Sequence, residues 1–423
     1  MRGWWTALGL GVLLAGCVDR APEGEMRESQ PPHDTLATCE SPLPGFEVEE
    51  LARGLEVVWD FAVAPDGRLF VTERPGRIRI IDEDGLREEP WIELDVEHRE
   101  EAGLMGITLA PDFATSGHLF VVSSHLRPQP LGGLPLLGRL GHMIRLRMAG
   151  DRGTALVNRV HRITDREGSG HDPLLWVDAM PTGILHAGGA LITAPGGDLL
   201  LSLGDGMDPW RAQQPSSLRG TLVRIPAGDA PPPSERIRAE SHGVAFGVRN
   251  SQGMAWLDPD STELAFIDHG PTGRDELNLF ESGGNYGWPA EAGIVEDPRF
   301  VPPLAEWTPA IAPGGLAAGV RRDGDEGDAA DGADAYDGQD AVVRVHITGL
   351  GGQTLREVEL VREEEGWRAR CEHRLLDGEY GRLRAIAPAP DGGLFLGTSN
   401  LDGRGVPREG GDRVLHLRWL DGS

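Results

Sequence analysis

Leu55 to Ile81 reads LEVVWDFAVAPDGRLFVTERPGRIRII, and this stretch decides the fold class. Apolar residues lead into Pro65-Asp66-Gly67, return as Leu69-Phe70-Val71, and after a second turn at Arg74-Pro75-Gly76 alternate as Ile78 and Ile80. Apolar segments this short, punctuated by Pro-Asp-Gly and Pro-Gly, are strands joined by tight turns. The unit recurs: LAPDFATSGHLFVV occupies 109–122, ITAPGGDLLLSL 192–203, WLDPDSTELAFI 256–267 and IAPAPDGGLFL 386–396, with a weaker copy lacking the Pro-Asp turn at 342–360. No such unit buries both of its faces alone, so the six predict an all-β chain closed as a six-bladed β-propeller with long inter-strand loops.

Composition agrees with this. Sixty Gly and thirty-two Pro in 423 residues, of which 39% are apolar, mean many turns between short buried segments. The net charge of −27 argues against nucleic acid or an anionic membrane surface as partner and is indifferent to a neutral ligand. All forty basic residues are Arg, which excludes Schiff-base or Lys-base chemistry.

The chain opens with Arg2, an apolar run from Trp4 to Ala15, and Leu14-Ala15-Gly16-Cys17. That run is too short to cross a bilayer and has the layout of a signal peptide, 1–17, whose end resembles the bacterial lipobox. The expectation is a lipid anchor through Cys17, a flexible tether at 18–40, and a propeller domain at 41–423 outside the cytoplasm. Val18 after the Cys points to the periplasmic face of an outer membrane where the host has one. Cys39 and Cys371 are then either a disulfide clasping the two ends of the fold or two unrelated thiols. LGGLPLLGRL at 131–140 and the acidic tract DGDEGDAADGADAYDGQD at 323–340 read as insertions, the second as a disordered loop without a closing Glu for calcium.

Three clusters carry chemistry. His186, followed by glycines in HAGG, precedes a strand that is followed by Gly204-Asp205-Gly206; a His with an Asp on the next loop to orient its ring has the parts of a general base. Arg249-Asn250 and His269-Gly270-Pro271 offer a planar cation, an amide and backbone carbonyls suited to a hard cation such as Ca²⁺. Arg382 and Arg384 alternate on one strand, and two guanidinia on one face repel unless an anion lies between them. With Arg249 they predict a small polyanionic ligand.

Several motifs together resemble the soluble pyrroloquinoline quinone (PQQ)-dependent glucose/sorbosone, or aldose sugar, dehydrogenase family. They are GLMGITLAPDF at 103–113, HAGG at 186–189, GDGMDP at 204–209, SLRGTLVRI at 217–225, GVRNSQGMAW at 247–256, DHGPTGRDELNL at 268–279, NYGWP at 285–289 and WTPAIAPGGLA at 307–317. The resemblance spans roughly residues 46 to 420. It implies a catalytic base at His186 oriented by Asp205, and cofactor contacts at Glu101, Arg249, Asn250, Arg382 and Arg384. It further implies a Ca²⁺ on the carbonyls of Gly270 and Pro271, and a second, structural Ca²⁺ at Glu276 and Tyr286. The implied reaction is oxidation of an aldose at its anomeric hydroxyl, with hydride passing to PQQ and an external electron acceptor restoring it, in a monomer or dimer.

The chain departs from that pattern at three places. Glu101 stands where the glucose enzyme has a cofactor-contacting Gln, Gly351 where the family has a Lys, and Ala187 where it has an Asn after the catalytic His. A noncatalytic envelope propeller that binds glycans or proteins, and a Ca²⁺-dependent lactonase, are the alternative expectations.

Overall fold

The turn at Pro65-Asp66-Gly67 does what its sequence predicts. Gly67 takes φ +86° and its N–H donates to the Ala64 carbonyl at 2.9 Å, so Val58–Val63 and Leu69–Glu73 fold back as an antiparallel pair. Arg77–Asp82 adds a third strand and Gly85–Leu86 a fourth. The computed structural model describes residues 33–34, 36–128, 154–166, 168–228, 231, 237–257, 263–319, 342–364 and 366–420. The expected signal peptide, Cys17, most of the tether and both insertions lie outside the described residues.

Five more sheets repeat this plan. The second holds Leu104–Leu109, His118–Pro128, Thr154–Arg166 and Ser169–Pro181; the third Gly188–Thr193, Leu199–Leu203, Thr221–Ile225 and Gly243–Phe246. The fourth runs Gly253–Trp256, Leu264–Asp268, Asp275–Leu279, Ala305–Thr308, and the fifth Pro313–Ala318, Val342–Gly349, Leu355–Glu363, Gly366–Leu375. The sixth takes Leu383–Pro388, Leu394–Thr398 and Asp412–Trp419 from the end of the chain and Phe46–Leu55 from its beginning. The first strand of each sheet touches the first strands of both neighbours, so the six close a ring: this is the six-bladed propeller.

Apolar residues fill the creases between blades. Phe70, Ile78 and Ile80 of the first blade meet Ile107, Leu119 and Ile163 of the second, and Trp307 and Leu277 of the fourth meet Val345 and Val358 of the fifth. Each such side chain, taken fully out of water, contributes about 1.5–3 kcal/mol. Inner strands face the axis with small residues such as Ala190, Gly253, Gly314 and Ala385, leaving a channel cavity of about 490 Å³.

The weaker sixth unit has a structural cause. In the other blades the recurrent turn joins the first and second strands, but in the fifth the first strand, Pro313–Ala318, is separated from the second by residues 319–341. The sequence copy at 342–360 therefore captures the second and third strands instead. Part of the stretch expected as a tether is also strand: His33–Asp34 pairs with Thr308 and Trp307 of the fourth blade, and Ala37–Thr38 runs parallel to Cys371–Glu372 of the fifth. Cys39 is disulfide-bonded to Cys371. A strap thus crosses the outer edges of three consecutive blades and covers strand edges that would otherwise offer free N–H and C=O groups.

Every residue singled out in the sequence for chemistry, apart from Glu276, Tyr286 and Arg384, sits just before a blade's first strand or in the loops beside it, and Arg384 is the second residue of such a strand, Leu383–Pro388. Glu101 precedes Leu104–Leu109, His186 precedes Gly188–Thr193, Asn250 precedes Gly253–Trp256, and Arg382 precedes Leu383–Pro388. Because these strands run the same way around the ring, their leading loops share one mouth of the channel.

Candidate active site

His186 adopts φ +53°, a left-handed conformation that costs a non-glycine residue about 1–2 kcal/mol. Three contacts hold it there. Its N–H donates to Glu101 Oε2 at 2.9 Å, its carbonyl accepts from Gly206 N at 3.2 Å, and its Nδ1 lies 2.7 Å from Asp205 Oδ1. The glycines around it are close-packed: a Cβ on Gly204 would meet the His186 carbonyl oxygen, and one on Gly188 would meet Ser202 O and Gly204 N.

Asp205 is buried, and burial disfavours its charge. The His186 ring, the Met207 N–H at 2.8 Å and the Trp288 indole N–H at 2.8 Å outweigh that and hold its carboxyl below the ordinary range. A carboxylate on Nδ1 fixes the tautomer with the proton on that nitrogen and leaves Nε2 as the basic atom. Trp288, from the NYGWP segment, also supports a cation, since the Arg249 guanidinium stacks over its ring at 5.1 Å.

Arg249 and Asn250 are anchored by backbone. Both N–H groups donate to Asp268, at 2.7 and 2.6 Å, and Arg249 Nη1 donates to the His269 carbonyl at 3.2 Å. Asn250 joins three blades, accepting from Gly188 N at 3.1 Å and donating to Glu101 Oε2 at 3.0 Å. Arg382 pairs with Asp402 at 2.8 Å, which supplies the anion its position demands, and donates to the Leu350 carbonyl at 3.1 Å. Arg384 lies over Trp59 and donates to Gln252 Oε1 at 2.8 Å; burial, then the charge of Arg74, brings it down to about 10.

Sequence reasoning assigns Arg74 only to a tight turn. It is buried beside Arg384, Arg404 and Glu101, and so joins the cationic cluster. Gly351, in contrast, adds no charge; its N–H donates to Ile311 O in the loop that carries the Leu350 carbonyl to Arg382. Asp402, Arg404, Gln252 and Trp288 also escape a reading of the sequence alone. Their partners lie tens to hundreds of residues away in the chain, and no local spacing marks those contacts.

Among the described residues, the buried Nε atoms of Arg74, Arg249 and Arg384 have no hydrogen-bond partner. Three under-used guanidinium groups around one mouth fit a polycarboxylate cofactor. Gly270 packs so closely that a Cβ would meet the carbonyl oxygens of Gly273 and Arg274, an oxygen-rich loop suited to a hard cation. Glu276 and Tyr286 are already engaged within the chain. Glu276 accepts from Gly293 N and Asn278 Nδ2, while the Tyr286 hydroxyl donates to Leu279 O and accepts from Glu281 N. Among the described residues no three His, Cys, Asp or Glu side chains group to hold a metal.

Fold and site define a six-bladed propeller with a His–Asp pair and an arginine-lined cradle at one mouth. The chain belongs to the glucose/sorbosone dehydrogenase family, whose model matches residues 55–406. It is 28% identical over 356 residues to an uncharacterized protein of Synechocystis, covering 73% of this chain and 79% of that one. To an aldose sugar dehydrogenase of Escherichia coli it is 29% identical over 266 residues, 61% of this chain and 66% of that one. Among solved structures, one from Thermus thermophilus described as a putative oxidoreductase (glucose dehydrogenase) superimposes with TM-score 0.70 at 34% identity, covering 88% of this chain and 100% of that one. The PQQ-bound aldose sugar dehydrogenase of Streptomyces coelicolor gives TM-score 0.68 at 28% identity, covering 89% of this chain and 99% of that one.

Proposed function

We propose that the protein is a PQQ-dependent oxidoreductase that converts the anomeric hydroxyl of aldoses to the lactone. The observation that carries this reading is the juxtaposition of the His186–Asp205 pair with three arginines, Arg74, Arg249 and Arg384, whose buried Nε atoms have no partner among the described residues. His186 Nε2 takes the proton of the sugar hydroxyl as its carbon loses hydride, and Asp205 stabilises the imidazolium that results. Arg249, Arg382, Arg384 and Arg74 would hold the cofactor's carboxylates, and the loop at Gly270 and Pro271 would hold Ca²⁺. When bound, PQQ with Ca²⁺ supplies the hydride acceptor. Reoxidation falls to an external acceptor.

The same reading puts the protein in the bacterial envelope, held by lipid on Cys17. The Cys39–Cys371 disulfide supports this, since such bonds persist in oxidising compartments.

Adding PQQ and Ca²⁺ to purified protein, then an aldose and a redox dye, is expected to give dye reduction. No reduction with any aldose at saturating cofactor sinks the proposal. His186→Ala is expected to lose about 10²–10⁴-fold in kcat while still binding PQQ. A noncatalytic glycan-binding propeller would bind its ligand equally well with either residue and reduce no dye.

A further inference from the structure

We propose that Glu101 is a positioning residue for His186, with Arg404 as its counter-charge. The proposal rests on His186 being the base, and it gives a separate role to a carboxylate that stands where the glucose enzyme has an amide.

Glu101 and the segment 184–186 clasp each other. The Glu101 N–H donates to the Ile184 carbonyl at 3.0 Å, and its Oε2 accepts the His186 N–H at 2.9 Å. These two bonds bracket Leu185 and fix the backbone that leads into the left-handed His186. The ring is set by Asp205, whereas the backbone that carries the ring is set by Glu101.

The rest of the carboxylate ties this clasp to the remaining blades. Oε2 also accepts from Asn250 Nδ2 at 3.0 Å and Gln252 Nε2 at 3.4 Å, both on the fourth blade's leading loop. Oε1 accepts from Arg404 Nη1 at 3.1 Å, on the sixth blade. Four donors surround two oxygens, so the position calls for an acceptor on both. An amide there would turn an NH₂ toward a donor. Burial works against an ionised carboxyl, but His269, Arg404 and His186 around it prevail and hold Glu101 below the ordinary range, with Arg404 the permanent cation that bonds it directly. Arg404 is half exposed and pairs also with Glu100, so the clasp has one solvent-facing end.

Both cofactor-free protein and turnover test this. In the apo-protein, the His186 amide is expected to exchange slowly with solvent deuterium; Glu101→Ala should speed that exchange about 10²-fold, and Arg404→Gln by a smaller factor. With PQQ, Ca²⁺ and aldose, Glu101→Ala should lower kcat by about 10–10²-fold and leave KM within about twofold, because the base is misplaced and the sugar contacts are not. Glu101→Gln should be impaired, and Glu101→Gln with Arg404→Leu less so, since removing the facing donor lets the amide turn. Arg404→Gln, altered at a half-exposed position, carries the test if Glu101→Ala does not fold. Unchanged His186 exchange in the variants, or a double variant worse than Glu101→Gln alone, overturns the proposal. Wild-type protein that oxidises no aldose overturns the dehydrogenase reading, and the exchange comparison decides the clasp by itself.

Discussion

An imidazole works as a base only if one nitrogen is kept basic while the other is kept protonated, and at His186 that division depends on a single oxygen of Asp205. Asp205→Asn leaves the shape intact but can present an N–H to Nδ1, which favours the tautomer whose proton sits on Nε2. A fall in kcat of about 10²–10⁴-fold is expected, with PQQ affinity unchanged by titration of the apo-protein. The pair is legible in the sequence because neighbouring glycines and the following Gly-Asp-Gly mark loops where a ligand can approach backbone. Glu101 is legible only as a departure from a pattern. Its role depends on donors from Asn250, Gln252 and Arg404, and no local spacing reveals a contact made across three blades.

Strand Asp275–Leu279 shows what an element adds to its residues. Its register sets Glu276 opposite Asp268 on one side and Glu306 on the other, all buried. Burial first, and then the charge of Asp268, pushes Glu276 up to about 8. Asp268 is raised to about 6, again chiefly by burial. The folded protein therefore keeps protons that the unfolded chain gives up near the ordinary values of 4.5 and 3.8. Proton uptake is greater in the folded state, so stability falls as pH rises from about 4 to about 8. Urea unfolding at stepped pH with a chelator present should show the midpoint dropping across that window, and Glu276→Gln should flatten its upper part. A slope that is the same in the variant would show that Glu276 does not titrate this way. The pairing of Gly253–Trp256 with Leu264–Asp268 can be read from two apolar runs around a Pro-Asp turn. Which acids face each other cannot, because the register of the third and fourth strands is set by loops the pattern does not describe.

The six blades form a ring, and what the sequence does not show is how the ring is fastened. Six units imply closure, but the N-terminal strap carries no turn signal and reads as tether because it has so little to bury. Three of its features bear on stability: pairing of Phe46–Leu55 with Asp412–Trp419, the short strands at His33–Asp34 and Ala37–Thr38, and the Cys39–Cys371 bond. Replacing both Cys by Ser is expected to cost about 2–5 kcal/mol of unfolding free energy, measured in urea against the oxidised parent. The dye-reduction rate of the folded variant should be unchanged, since the bond lies on the outer edge of the fifth blade, away from the mouth.

The shared sixth blade also sets an order of events during synthesis. Phe46–Leu55 is made early, yet its partner Asp412–Trp419 is made after every other described strand. The ring cannot close until Asp412–Trp419 is available to pair with Phe46–Leu55. The early strand waits unpaired until then, so the channel mouth that gathers Glu101, His186, Asn250, Arg382 and Arg404 is complete only once that pairing forms.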